Sequence, residues 1–167
     1  MKSLSPILVC LVLIALAGCL GGGSSLKVKP GDPVPTVHFR HVDGTPLKLA
    51  DYQGKVVLLD FWATWCGPCL AEIPHLKEVY DAYKDHPRFA MISLSLDESA
   101  DLPKALMKEN GMAWINAYDG PWSESKTAEA FGVNAIPQIV LIGPDQKILA
   151  TGLRGGNIMK AVAKALK

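Results

Sequence analysis

Val56-Val57-Leu58-Leu59-Asp60-Phe61, then Trp62-Ala63-Thr64, then Trp65-Cys66-Gly67-Pro68-Cys69, is the stretch on which the reading of this chain turns. Its first six residues are an apolar run interrupted by one carboxylate, the pattern of a central strand covered on both faces. Two cysteines two residues apart close a disulfide only where the backbone between them turns tightly. After them Leu70, Ile73, Leu76, Val79, Tyr80 and Tyr83 recur every three or four residues, a helical stripe reaching about Lys84. Pro68 falls in the first turn of that helix, where its missing N–H costs nothing. Pro74, inside the pattern, is expected to kink it. Cys66 therefore stands at a strand-to-helix junction, where unpaired backbone N–H groups and the helix dipole favour a thiolate. The stretch reads as a dithiol redox site.

Outward from this centre, the chain alternates strands with helices. Thr36 to Arg40 reads as a short strand, followed by a turn at Val42-Asp43-Gly44-Thr45 with the Asp-Gly signal of a hairpin. Arg88 to Leu96 reads as the next strand after the helix, Asp101 to Asn110 as a helix stopped by Gly111, and Trp114 to Tyr118 as a short strand. Ser123 to Phe131 reads as a helix with Gly132 behind it. Gln138 to Ile142 and Lys147 to Thr151 flank a Gly143-Pro144-Asp145 turn, and a last helix runs from about Gly156 to Leu166. This order predicts an α/β sandwich with a mixed sheet.

Charged residues make up 20% of the 167 and hydrophobic ones 49%, which is globular; a net charge of +1 gives no basic surface for nucleic acid. The N-terminus inflates the apolar share. Met1-Lys2 precedes an uncharged run from Ile7 to Ala17, shorter than the roughly 20 residues a membrane span needs but of signal-peptide length. Leu16-Ala17-Gly18-Cys19 resembles the bacterial lipobox, which implies cleavage after residue 18 and lipid attachment at Cys19. Residues 19–33, rich in Gly, Ser and Pro, are then expected to be a lipidated, flexible tether, with the folded domain covering 34–167. With Cys10 removed and Cys19 lipidated, Cys66 and Cys69 are the remaining thiols, in a compartment where disulfides persist. Losing Lys2 leaves 16 Lys+Arg against 16 Asp+Glu, so attachment to the membrane would rest on lipid.

Asp60-Phe61-Trp62-Ala63 before the cysteine pair, with Ile136-Pro137 downstream, resembles the thioredoxin superfamily. Leu70-Ala71-Glu72-Ile73-Pro74 narrows the likeness, because Cys-x-x-Cys-x-x-Glu-x-Pro is similar to the exported, membrane-anchored TlpA/ResA-type thiol:disulfide oxidoreductases. The resemblance implies a thioredoxin-like three-layer α/β sandwich with an N-terminal β-hairpin and a central insertion, for which about Asp97 to Trp122 is the candidate. Asp60 and Ile136 are thioredoxin choices where many exported relatives carry Asn and Thr, which points to a general reductant.

On this reading Cys66 attacks a substrate disulfide and Cys69 resolves the mixed disulfide. Asp60, beneath them, relays the proton, and Glu72 tunes the same thiol. Pro137 is implied to be cis, with the backbone at Ile136 pairing to substrate as an added strand; Trp65 borders the active-site loop, and Trp62 is structural. The resemblance implies exported protein disulfides as substrates, apocytochrome c among them. It also implies an integral membrane thiol carrier as electron donor, and placement in the bacterial cell envelope. No cofactor or metal is implied, and with no sign of a dimerisation domain a monomer is expected.

Other readings stand beside this one. Disulfide oxidase or isomerase is the nearest. A thiol peroxidase would carry Thr and Pro where Ala63 and Leu59 stand. A zinc site lacks a second cysteine pair, with His75 the nearest histidine, and covalent haem would need His in place of Leu70. A lipid-anchored binding module with an idle disulfide is the non-enzymatic alternative.

Overall fold

The structure, a computed structural model, describes residues 26–167. The signal sequence and the lipidation site expected at Cys19 lie outside the described residues. Strands β1 (His38–His41) and β2 (Pro46–Lys48) form the expected hairpin. Its turn is held by the Thr45 N–H donating to Asp43 Oδ1 at 2.9 Å, with Gly44 at φ +96°. A single 3-10 turn, Leu49–Tyr52, leads into β3 (Val56–Trp62). There follow α1 (Gly67–Tyr83), β4 (Phe89–Ser95), α2 (Leu102–Glu109), β5 (Ile115–Tyr118), α3 (Lys126–Phe131), β6 (Gln138–Ile142), β7 (Ile148–Thr151) and α4 (Gly156–Leu166).

The seven strands make one mixed sheet in the order β2-β1-β5-β4-β3-β6-β7. β3 runs parallel to β4, and β4 to β5; the other neighbours are antiparallel. Every residue of β3 and β4 is buried, as their near-continuous apolar character requires of strands covered on both faces. Side chains alternate between the faces. Val57, Leu59 and Phe61 join one core with Phe131 of α3, Phe39 and Leu47. Val56, Leu58 and Trp62 join the other with Ile73 and Leu76 of α1, Ile158 and Val162 of α4, and both cysteines of the motif. The three layers and mixed sheet are those anticipated. The segment 97–122 supplies α2 and β5, so the candidate insertion adds a strand between the hairpin and the central pair.

α1 runs unbroken through Pro74, an exposed position. One expectation differs. The tether was expected to reach residue 33, yet Leu26 to Pro33 packs on the domain. The Lys27 N–H donates to Phe131 O at 3.0 Å, Gly31 N–H to Ile148 O at 2.9 Å, and Ile148 N–H to Asp32 O at 2.9 Å, while Val28 is buried. The Gly-Pro content that reads as a flexible linker is here the turn chemistry of a strap with satisfied backbone groups.

Gly132 makes that strap possible. It ends α3 in the left-handed conformation (φ +71°), and a Cβ there would lie 2.5 Å from the Lys27 backbone nitrogen. Gly132→Ala is expected to destabilise the protein by at least about 1 kcal/mol and to speed hydrogen exchange at the Lys27 amide. Urea unfolding and exchange by NMR measure both; an unchanged midpoint would mean that the strap tolerates the methyl group.

Candidate active site

The C-terminal end of β3 delivers the chain to a short loop and then to α1. This loop is fastened from the neighbouring strand. Asp97, just beyond β4 and fully buried, accepts from the Thr64 N–H at 3.1 Å, the Thr64 hydroxyl at 2.7 Å and the Ser95 hydroxyl at 2.7 Å. The Leu96 N–H also donates to Trp62 O at 2.8 Å, and Cys66 N–H closes a turn on Ala63 O at 3.1 Å. Thr64 and Asp97 were not singled out in the sequence; an Asp just past a buried strand was the available signal.

Cys66 caps α1. Its backbone is extended, and its Sγ accepts from the Cys69 N–H at 3.2 Å, so the sulfur occupies the place a Ser or Asp oxygen takes in an ordinary cap. Cys66 and Cys69 are joined as a disulfide with their Cα atoms 5.2 Å apart. Both are buried, at 5% and 2% exposure, and Gly67 and Pro68 between them are exposed.

Asp60 shares the face and the core layer of the cysteines, being the third of the alternate residues 56, 58, 60 and 62 of β3. It is 2% exposed. Burial pushes its pKa up from the ordinary carboxylate range to about 7, and the negative charge of Glu72 adds to that. The Ser93 hydroxyl, which donates to Asp60 Oδ2 at 3.0 Å, and the positive charge of Arg154 pull the other way. Ser93 is the residue in register with Asp60 on β4. Trp114, leading into β5, donates its Nε1–H to Ser93 Oγ at 2.8 Å.

Glu72 is half-buried on α1, and its Oε2 accepts from the Gly155 N–H at 2.8 Å, tying the active-site helix to the start of α4. The preceding residue, Arg154, donates to Leu153 O at 2.6 Å and to Pro137 O. The Ile136–Pro137 peptide is cis, as the resemblance implied. Ile136 is partly buried and packs against both core layers, and β6 begins just after Pro137, pairing Ile139 with Asp60. Trp65 is 59% exposed and stacks on Trp122 with ring centres 6.0 Å apart and planes 15° from parallel. Trp122, at the end of the inserted segment, is held by its Nε1–H donating to Val133 O at 3.2 Å.

The sequence-predicted residues thus converge: Cys66, Cys69, Asp60, Glu72, Trp65, Ile136 and Pro137 border one end of the sheet around α1. Sequence reasoning missed Ser93, Trp114, Trp122 and Arg154. The first was within reach of a strand register, but nothing local marks the other three. A vicinal dithiol on a helix N-terminus, above a buried carboxyl that titrates near neutrality, has what two-electron thiol–disulfide exchange requires.

Comparison with known proteins agrees with this chemistry. Residues 29–166 match the Redoxin family. A thiol-disulfide oxidoreductase ResA from Bacillus cereus is 30% identical over 164 residues, covering 94% of this chain and 92% of that relative. The thioredoxin domain of a thiol-disulfide oxidoreductase from Bacteroides vulgatus superposes with a TM-score of 0.77 at 28% identity, over 84% of this chain and 99% of that one. A Chlorobium tepidum protein assigned as thiol:disulfide interchange protein DsbE gives 0.74 at 28% identity, over 84% and 99%. With the fold, the cysteine pair and these relatives in agreement, the chain belongs to the Redoxin family, as a TlpA/ResA-type thiol:disulfide oxidoreductase of the thioredoxin superfamily.

Proposed function

We propose that the protein works as a reductant of disulfides in exported proteins, and that Cys66 is its nucleophile. The observation that carries the assignment of roles is the Cys66 sulfur acting as the cap of α1. Once reduced, the same position offers a thiolate the Cys69 N–H and the positive end of the helix. Cys66 S⁻ attacks a substrate disulfide, forming the mixed disulfide and releasing one substrate thiolate. Cys69 then gives its proton to Asp60 and attacks Cys66 Sγ; the second substrate thiolate leaves and takes a proton from water. The protein dithiol has lost two electrons and the substrate disulfide has gained them. Glu72 stands on the helix beside this chemistry, its carboxylate directed to the Gly155 amide, and acts on Asp60 through its charge.

Substrate docks on the side formed by Trp65, Ile136 and Pro137. The Pro137 carbonyl is engaged by Arg154, so Ile136 is the residue left to offer backbone to an extended substrate segment. The Gly67-Pro68 pair supports a reducing site, with a potential nearer the roughly −270 mV of thioredoxin than the −120 mV of a strong oxidant. Leu16-Ala17-Gly18-Cys19, and the names ResA and DsbE among the relatives, support an exported protein held by lipid at Cys19 on the outer side of a membrane. Among the described residues no helix is long and apolar enough to cross one. Electrons would then come from an integral membrane thiol carrier, and apocytochrome c is a candidate substrate among exported disulfides.

Cys66→Ser is expected to abolish insulin reduction, whereas Cys69→Ser accumulates a mixed disulfide that survives non-reducing electrophoresis. Trapping by the first variant and not the second would reverse the assignment of nucleophile and resolving thiol.

Asp60 gives two further signatures. Asp60→Asn should slow resolution of the mixed disulfide, by roughly 10²-fold above pH 7, and leave its formation unchanged. The wild-type resolution rate should rise through a midpoint near 7 as the carboxylate ionises, a step absent from the variant. In stability the sign is opposite to that of a salt-bridged carboxylate. Because the folded pKa is raised, the unfolded chain loses this proton first, and the wild type loses stability between about pH 4 and 7. Asp60→Asn should therefore gain on the wild type over that range, by about 4 kcal/mol at most, and run parallel above it. Urea titrations at pH 4, 6 and 8 read the gap, and a constant gap would place an ordinary carboxylate at Asp60.

A further inference from the structure

We propose that Trp114 and Ser93 are positioning residues that fix which oxygen of Asp60 carries the exchangeable proton, so that proton transfer to and from Cys69 goes through Oδ1. This rests on Asp60 acting as the relay. An indole N–H donates and has no acceptor capacity, so at 2.8 Å from Trp114 Nε1 the oxygen of Ser93 is an acceptor on that side. The hydroxyl has one proton, and Asp60 Oδ2 at 3.0 Å is the acceptor it reaches. Ser93 is fully buried, Asp60 and Trp114 nearly so. Turning the hydroxyl away from Asp60 would leave a buried O–H without a partner, which is disfavoured in such a site. Oδ2 is thereby held as an acceptor in both protonation states, and the proton that comes and goes belongs to Oδ1.

The strand register makes this a fixed arrangement. Asp60 and Ser93 are paired residues of parallel strands, and their side chains lie on the same face. Trp114 comes from the inserted segment and is packed in the same core layer against Tyr80 of α1, the rings tilted with centres 5.5 Å apart. The insertion therefore reaches the redox centre through two hydrogen bonds. The charged groups acting on Asp60 are Arg154 from the β7–α4 loop and Glu72 from α1, while β4 contributes only the neutral Ser93. Removing the hydroxyl withdraws a donor from the carboxylate form. Removing the indole lets the hydroxyl turn and accept from a protonated Asp60. Both changes favour the protonated acid.

The test is the pH profile of mixed-disulfide resolution in the full chain, using a small aromatic disulfide as substrate. Ser93→Ala and Trp114→Phe are each expected to move the midpoint upward, the first by roughly one pH unit and the second by less. Ser93→Thr, which keeps the hydroxyl, should restore it. A merely structural role would change stability and leave the midpoint in place. Ser93→Ala removes a single oxygen and carries the test alone if Trp114→Phe does not fold. Asp60→Asn separates the two levels of the argument. If the pH step persists in that variant, the relay itself fails. If it vanishes there while Ser93→Ala leaves the wild-type midpoint unmoved, the relay stands and the positioning proposal is overturned.

Discussion

The in-register parallel pairing of β3 with β4 is the constraint on which the site depends. It sets Asp60 beside Ser93 and Trp62 beside Ser95, and it carries Asp97 to the level of Thr64. A one-residue slip would turn every side chain of the strand to the other face. Asp60 would then enter the layer of Phe61 and Phe131, away from the cysteines, and Asp97 would miss the Thr64 amide. Apolar side chains fill both faces, Val57, Leu59 and Phe61 on one and Val56, Leu58 and Trp62 on the other, so the register is held by their fit and by the polar pairs a slip would break, Asp60 with Ser93 and Asp97 with Thr64.

That carboxyl is held at a cost to stability. A group that ionises near 7 in the fold and near 3.8 in the open chain destabilises the folded state at neutral pH. Its neighbours moderate this only in part. Arg154 and Ser93 favour the charged form, and Glu72 opposes it. The balance leaves Asp60 near the point where acid and base are equally populated, where a proton relay works in either direction. Lowering the pKa far below 7 would give a more stable fold but a permanent anion, and raising it far above 7 a permanent acid; the relay is poorer in both cases.

Much of this was legible in the residues. The strand–turn–helix around Cys66, the hairpin at Asp43-Gly44 and the final helix follow from local pattern, because each is decided by contacts close in sequence. So is the location of Asp60, since a lone carboxylate in an apolar strand is conspicuous. Ser93, Trp114 and Arg154 were not legible, because their importance comes from what lies opposite them. Ser93 is an unremarkable residue until the register puts it against Asp60. Arg154 sits in a Gly-rich loop whose path brings it to the Pro137 carbonyl. The strap at 26–33 misled for a related reason: Gly and Pro serve flexible linkers and tight turns alike, and only the partners at Phe131 and Ile148 distinguish the two.

The same logic bears on how the N-terminus meets the domain. Leu26 to Pro33 is bound across the end of α3 and the start of β7. If lipid is attached at Cys19, as proposed, residues 20–25 separate it from this strap in sequence. Fully extended, six residues reach about 20 Å. The domain would then be held close to the membrane surface, within reach of a thiol carrier embedded there and limited in the partners it could meet at a distance. The Gly132 conformation, by admitting Lys27, is part of that geometry: it fixes where the strap is fastened to the domain.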